Sequence, residues 1–397
     1  MTTLLGGQEA PSTSEPRESF FDRPRATGDW GGARNRLEEW GVEIDASYVL
    51  ESNAAWSGGL SSRESSRNQL TANVLVDMER AVGWSGLSLF AQYLSVNAER
   101  GGTTDVGDLQ VYSNIESDRS LDVISELWLE QQLLGDRFRL KIGKIEANSE
   151  FAVPEIAGEF SNSSAGFSPT IVGFPSYPDP ATGVCLFIRP LEDLTLAYGW
   201  FDGALGADGV PTGRLGPSTF LSDDRSGDYF HIGELRVEWT DARERSGRLA
   251  LGGWYHDGDF VRFDGATESE TAGVHLVLEQ HLRTLGYGGE LHAFLQYGWA
   301  DGNVIEFENH LGLGVVLAGI GHARPSDSLG VYVSFVDLSD EPDAGFRRDE
   351  VVIDTYYRLQ LTPFFFVQPE LQVIFDPAGD PAIDDAFVAG LRLGIDF

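Results

Sequence analysis

Arg137, Arg139 and Lys141 stand at every second position of one short segment, with Phe138, Leu140 and Ile142 between them. Successive side chains of an extended chain point to opposite faces, so the three cations share one face and the apolar residues the other. A two-residue hairpin at Gly135-Asp136 sets Lys141 opposite Glu130, Arg139 opposite Gln132 and Trp128 over Gly143. Charges facing one another across a strand pair hold each other in place. Fixed donors of this kind hydrogen-bond several hydroxyls of one solute at once, and Trp128 and Trp254 offer aromatic faces on which a ring-shaped solute stacks. Glu234, Arg236, Glu290 and Arg358 share the same face by parity in their own segments. The plainer role for such a ladder is to solvate a wall and fix register.

Other constellations are weaker. His256, His275 and His292 share that face, with Glu279 and Glu290 near, but without the tight spacing of a metal site; ordinary polar lining is the expectation. Gly83-Trp-Ser-Gly86 has the look of a nucleophile elbow, yet no helix pattern follows it. No Ser/His/Asp set stands out, so neither an enzyme nor a cofactor is expected.

These residues need a scaffold in which one strand face is polar and enclosed. The 397-residue chain has 62 Asp and Glu against 28 Lys and Arg, a formal charge of −34. That balance argues against a nucleic-acid partner. It is compatible with carboxylate-rich loops that bind divalent cations or with a solvated acidic surface. The single Cys185 excludes an internal disulfide. No run of about 18 apolar residues supplies a membrane-spanning helix. Average composition resembles that of a soluble protein, but a transmembrane barrel gives the same average because its strands alternate lipid-facing and lumen-facing residues.

Residues 1–26 read as a flexible leader rich in Ala, Pro, Ser, Thr and Glu, without the basic and apolar regions of an export signal. A short helix is expected within residues 27–41, capped by Asp29 and ended by Gly41. From Val42 the period becomes two, as in Leu311/Leu313/Val315/Leu317 and Phe387/Ala389/Leu391/Leu393/Ile395/Phe397. The parse gives sixteen strands between 42 and 397. Links after odd strands are mostly long (54–66, 98–121, 146–181, 203–228, 258–270, 300–307, 337–348, 376–383). Those after even strands are mostly short (80–86, 134–136, 191–193, 240–247, 283–286, 321–327, 362–363). Sorting of loops by parity is the mark of an all-β, transmembrane antiparallel barrel with periplasmic turns and longer outer loops. Link 146–181, the longest and rich in Pro, Gly and Phe, is the natural segment to fold inward.

Several stretches resemble the carbohydrate-selective porin family (OprB type). Thr27-Gly-Asp-Trp-Gly-Gly-x-Arg with Leu37 and Gly41 is similar to that family's opening. So are Gly143-Lys-Ile-Glu-Ala-Asn148, Gly158-Glu-Phe-Ser-Asn-Ser-Ser-Ala-Gly166, Gly252-Gly-Trp-Tyr-His-Asp-Gly-Asp-Phe260, Gln368-Pro-Glu-Leu-Gln372 and Gly390-Leu-Arg-Leu-Gly-Ile-Asp-Phe397. The resemblance implies a sixteen-stranded outer-membrane channel of a diderm bacterium, set in lipid. Its inward loops would narrow the pore for monosaccharides. It also implies a homo-oligomer, with a trimer as one form. Separately, Phe397 at the last lipid-facing position of the closing strand resembles the terminal signal of outer-membrane barrels, through which the barrel-assembly machinery is expected to act. A general or cation-leaning porin is the first alternative, because lumen-parity acids (Glu126, Glu234, Glu279, Glu350, Asp354 and Glu370 among them) outnumber bases. A secreted lectin or glycan hydrolase with a paired-carboxylate cleft is the second.

Overall fold

The computed structural model describes residues 19–97, 101–203, 216–220 and 228–397. Alternation of apolar and polar residues produces strands buried on one side. The first nine are β1 (Val42–Gly59), β2 (Glu64–Asp77), β3 (Leu87–Asn97), β4 (Leu121–Leu133), β5 (Phe138–Ile145), β6 (Ala181–Leu191), β7 (Leu194–Asp202), β8 (Tyr229–Thr240) and β9 (Ser246–His256). A small hairpin of β10 (Phe260–Val261) and β11 (Thr267–Glu268) decorates the next loop. Seven more follow: β12 (Thr271–Thr284), β13 (Glu290–Ala300), β14 (Phe307–Ala318), β15 (Ser328–Leu338), β16 (Glu350–Thr362), β17 (Phe365–Phe375) and β18 (Asp384–Asp396). The sixteen long strands form one closed antiparallel barrel in chain order, β9 pairing with β12 and β1 with β18.

Closure is what lets such a wall stand in lipid, since an open edge would leave backbone N–H and C=O groups without partners. The seam pairs Tyr48 with Ile395 and Leu50 with Leu393. Leu311, Leu313 and Val315 of β14 and Val331, Val333 and Phe335 of β15 are exposed on the outside, whereas Gly312, Gly314, Tyr332 and Ser334 are buried inside. A continuous exposed apolar wall is incompatible with a water-soluble lectin or hydrolase. Inward glycines make room for rings. A Cβ on Gly314 would sit 2.0 Å from the Phe294 ring, and one on Gly330 2.6 Å from Phe160, which belongs to the loop after β5.

The sequence expectations hold for all sixteen strands, with local departures. β1 and β2 extend each other, so the expected link 54–66 contracts to 60–63. Residues 78–82 wind into helix α2 (Met78–Val82; the N-terminal helix is α1, Ala33–Glu39), because the Asp77 carboxylate accepts the Glu79 and Arg80 N–H groups at 2.9 and 3.3 Å. Glu79 is therefore helical and not a strand residue. In α1 the N-cap position is Gly32, at φ 84°; Asp29 closes a turn before it, accepting from the Gly31 N–H at 3.0 Å. Gly41 does take the left-handed backbone, φ 82°. The β4–β5 register is as expected, Glu130 with Lys141, Gln132 with Arg139 and Trp128 with Gly143. The turn is wider, however. Leu134, Gly135 and Asp136 all have positive φ, which unpairs Arg137 and leaves it exposed in the turn instead of on β5.

Residues 1–18 of the expected leader lie outside the described residues. From residue 19 onward the segment is tied to the barrel. Phe20 packs edge-on against Phe364 at 5.3 Å, and the Ala26 N–H donates to the Asp396 carbonyl at 2.8 Å. Arg34, buried from α1, donates to the carbonyl of Phe397 at 3.1 Å and lies 4.2 Å over the Trp30 ring. The Phe397 N–H in turn donates to Ala46 at 2.8 Å.

Two outcomes follow from the closed, apolar-coated wall. The protein is expected to need detergent and to migrate faster on SDS gels unheated than boiled; a monodisperse, detergent-free protein would contradict it. Deleting Phe397 removes both the Ala46 bond and the Arg34 acceptor at the seam. It should lower the yield of the heat-modifiable form while total synthesis is unchanged, and equal yields would show that the seam does not use it.

Candidate functional site

The segment 146–180 between β5 and β6 does not stay outside. It crosses the lumen and is fastened to wall after wall. Glu150 is the first anchor. Arg139 donates to it through Nη1 at 3.1 Å and Nη2 at 2.7 Å, Lys141 also binds it, and Arg139 reaches Glu130 at 2.8 Å. Burial alone would push the Glu150 carboxyl up. The Arg139 hydrogen bonds and the two cationic charges overcome this and hold it below the usual carboxylate range. Glu146, just before it, has no such cation. Burial pushes its carboxyl up to about 8, with the neighbouring Glu126 adding to the effect.

Further along, wall carboxylates accept backbone N–H groups of the loop. Ala152 donates to Glu234 at 2.9 Å, Ile156 to Glu279 at 2.7 Å, and Asn162 to Asp354 at 3.2 Å. Loop carbonyls take wall donors in the same way, Val153 from Arg248 at 3.2 Å and Ser164 from Tyr332 at 2.9 Å. Two loop rings are fully buried. Phe151 packs on Phe187 and Phe201, and Phe160 lies among Phe294, Tyr332 and Tyr356. Each such burial stabilises the inward position by about 1.5–3 kcal/mol.

A second segment, 101–120, also folds inward. Its Leu109 and Gln110 N–H groups donate to Glu350 at 2.9 and 3.0 Å, and Gln372 and Arg392 bind the Tyr112 carbonyl and the Asn114 side chain, each at 2.7 Å. The two loops join where Asn114 donates to the Ser161 carbonyl at 2.6 Å and Ser163 to Val111 at 3.0 Å. Sequence reasoning missed this loop. The only local sign was its glycines at 101, 102 and 107, and the partner Glu350 lies 240 positions from Gln110.

The structure brings Glu130, Arg139 and Lys141 together as expected and adds Glu234 and Arg236 to the same wall. Arg236 binds Glu234 and the Glu150 carbonyl, and His275 meets Glu234 at 2.9 Å. Arg358 points to the same loop, 3.5 Å from Glu159 and 3.5 Å over the Phe366 ring. Neither tryptophan is an open platform. Trp128 has Phe90 stacked at 4.8 Å from the β3 side and the Lys141 ammonium 3.9 Å over its ring from the β5 side. Trp254 is only 3 % exposed, stacked on Phe230 beneath the loop. Arg137 and Glu290 sit apart, at the short-turn rim, Glu290 facing His292 at 3.4 Å. The three histidines of shared parity go to different partners, His256 to the Gly203 carbonyl, His275 to Glu234 and His292 to Glu290.

Comparison with known proteins agrees with this architecture. Residues 63–397 match the model of the carbohydrate-selective porin, OprB family. Porin B of Pseudomonas aeruginosa is 23% identical over 442 residues, spanning 98% of this chain and 95% of that protein. The putative porin QuiX of Acinetobacter baylyi is 22% identical, spanning 95% and 94%. The high-pH structure of Pseudomonas putida OprB superposes with a TM-score of 0.84 at 20% identity, over 96% of this chain and all of that one. A family match across most of the chain, on a closed sixteen-stranded barrel with loops folded into its lumen, gives one conclusion: the chain belongs to the OprB family of carbohydrate-selective porins of the outer membrane.

Proposed function

We propose that this porin passes monosaccharide-sized sugars by passive diffusion, without chemistry on them, through a lumen narrowed by segments 146–180 and 101–120. The observation that carries the reading is the bridge from Glu150 of the loop to Arg139 and Lys141 of β5. It fixes both the loop's position and a set of charged hydrogen-bonding groups beside the passage. Glu130, Glu234, Arg236 and Arg358 complete this polar edge; Trp128 and Trp254 support it from within the packing. A homo-oligomer held in outer-membrane lipid, and recognition of Phe397 by the assembly machinery, complete the proposal.

A cation-leaning porin of the same fold is the second reading, favoured by a cavity of about 620 Å³ near the short turns. Among the described residues, Glu155, Glu192, Asp193, Glu238 and Glu279 line it with Arg248 as the one Lys or Arg side chain.

Planar-bilayer recording with and without glucose separates the two. Truncating Arg139 takes both guanidinium bonds from Glu150 and leaves Lys141 alone on that carboxylate, which loosens the loop's first anchor. Arg139→Ala is therefore expected to raise ion conductance and weaken block by glucose. Lys141→Ala should shift the pore toward cations, since Glu130 and Glu150 lose a positive neighbour. Wild-type conductance, ion preference and glucose block in both variants would make this ladder plain wall.

A further inference from the structure

On the short-turn side of the 146–180 loop, one row of inward positions runs across five neighbouring strands. It contains Gln132 of β4, Arg139 of β5, Phe187 and Arg189 of β6, Thr195 of β7 and Arg236 of β8, linked by the pairs Gln132/Arg139, Arg139/Phe187 and Thr195/Arg236. With Asp136 these side chains line a cavity of about 310 Å³. The Arg139 guanidinium lies 3.6 Å over the Phe187 ring, which fixes its plane.

We propose that this row is a second binding site for a neutral polyol, at the periplasmic exit of the constriction. This rests on the sugar reading above.

Two observations support it. The first is the supply of free hydrogen-bonding groups. Arg139 donates from Nη1 and Nη2, Arg236 from Nε and Nη2, and Arg189 from Nε to the Glu192 carbonyl and from Nη1 to Asp136. One guanidinium N–H site of each arginine and the Thr195 hydroxyl have no partner among the described residues, and the four residues that carry them line the cavity. Each open site supplies one donor, so together they offer separate hydrogen bonds to several hydroxyls of one solute.

The second observation is charge balance. Arg139 and Lys141 face Glu130 and Glu150, Arg236 faces Glu234, and Arg189 faces Asp136. The lining itself has three arginines to one carboxylate, Asp136, and the partners Glu130, Glu150 and Glu234 just outside it offset that charge. A donor-rich site whose arginines are each already paired favours an uncharged hydroxylated solute over an anion. The neighbouring 620 Å³ cavity is the opposite, with five carboxylates to one arginine. The vestibule thus has a balanced side and an acidic side, and sugar block and cation preference depend on different walls.

Charge-conserving variants test this in planar bilayers. Thr195→Val and Arg189→Lys each remove hydrogen bonds to the solute and should each weaken block by glucose about fivefold, with reversal potential in a KCl gradient unmoved. Glu238→Gln, on the acidic side, should move the reversal potential and leave glucose block as in wild type. Heat-modifiable mobility on gels confirms that each variant is folded. If wild type is blocked by glucose and both Thr195→Val and Arg189→Lys are blocked equally well, the second site is wrong. Loss of glucose block in Glu238→Gln would overturn the separation of the two sides. If glucose does not block wild type at all, the sugar reading itself falls, and this site with it.

Discussion

Every backbone N–H and C=O that meets lipid must find a partner within the protein, and the pairing of β1 with β18 is how this chain meets that condition. Closure converts one face of every strand into an interior. The outer face then has to be apolar, the inner face is free to be polar, and long loops on one rim have an enclosed polar space into which to fold. The arrangement at the seam extends the same logic to the terminus, where Arg34 from the N-terminal helix occupies the last carbonyl of the chain.

The inward loops bring the same demand with them. Segments 146–180 and 101–120 carry irregular backbone into the barrel interior, and their buried amides need acceptors. Glu126, Glu234, Glu279, Glu350 and Asp354 supply them, each accepting at least one loop N–H group. The acidic bias of the lumen is thus in good part structural. These carboxylates hold the loops, and arginines pair with two of them, Arg236 with Glu234 and Arg248 with Glu279. A wall rich in acids by sequence parity is for this reason a poor measure of the charge a passing solute meets.

The period-two pattern and the loop lengths made the barrel legible because both are consequences of local geometry. The β4–β5 register was legible too: Glu130 against Lys141 follows from hairpin parity even though Leu134 and Arg137 widen the turn. What was not legible came from distant contacts. Trp254 has lumen parity, but whether it faces the passage or Phe230 depends on where the loop after β5 lies. Trp128 lost both ring faces to Phe90 and Lys141, neighbours on two different strands. Glu150 gave no sign of being the anchor, since in sequence it is one carboxylate among 62.

The fastening of the loops also orders events during assembly. Apart from Glu126, these wall acceptors lie later in the chain than the amides they bind, by 82 positions for Glu234 and 241 for Glu350. The loops do not have their full set of partners until the strands from β8 to β18 are in place. Contacts that close such long stretches of chain form late. The growing barrel therefore passes through a wide-bore stage, and the narrow passage is the last part of the molecule to mature.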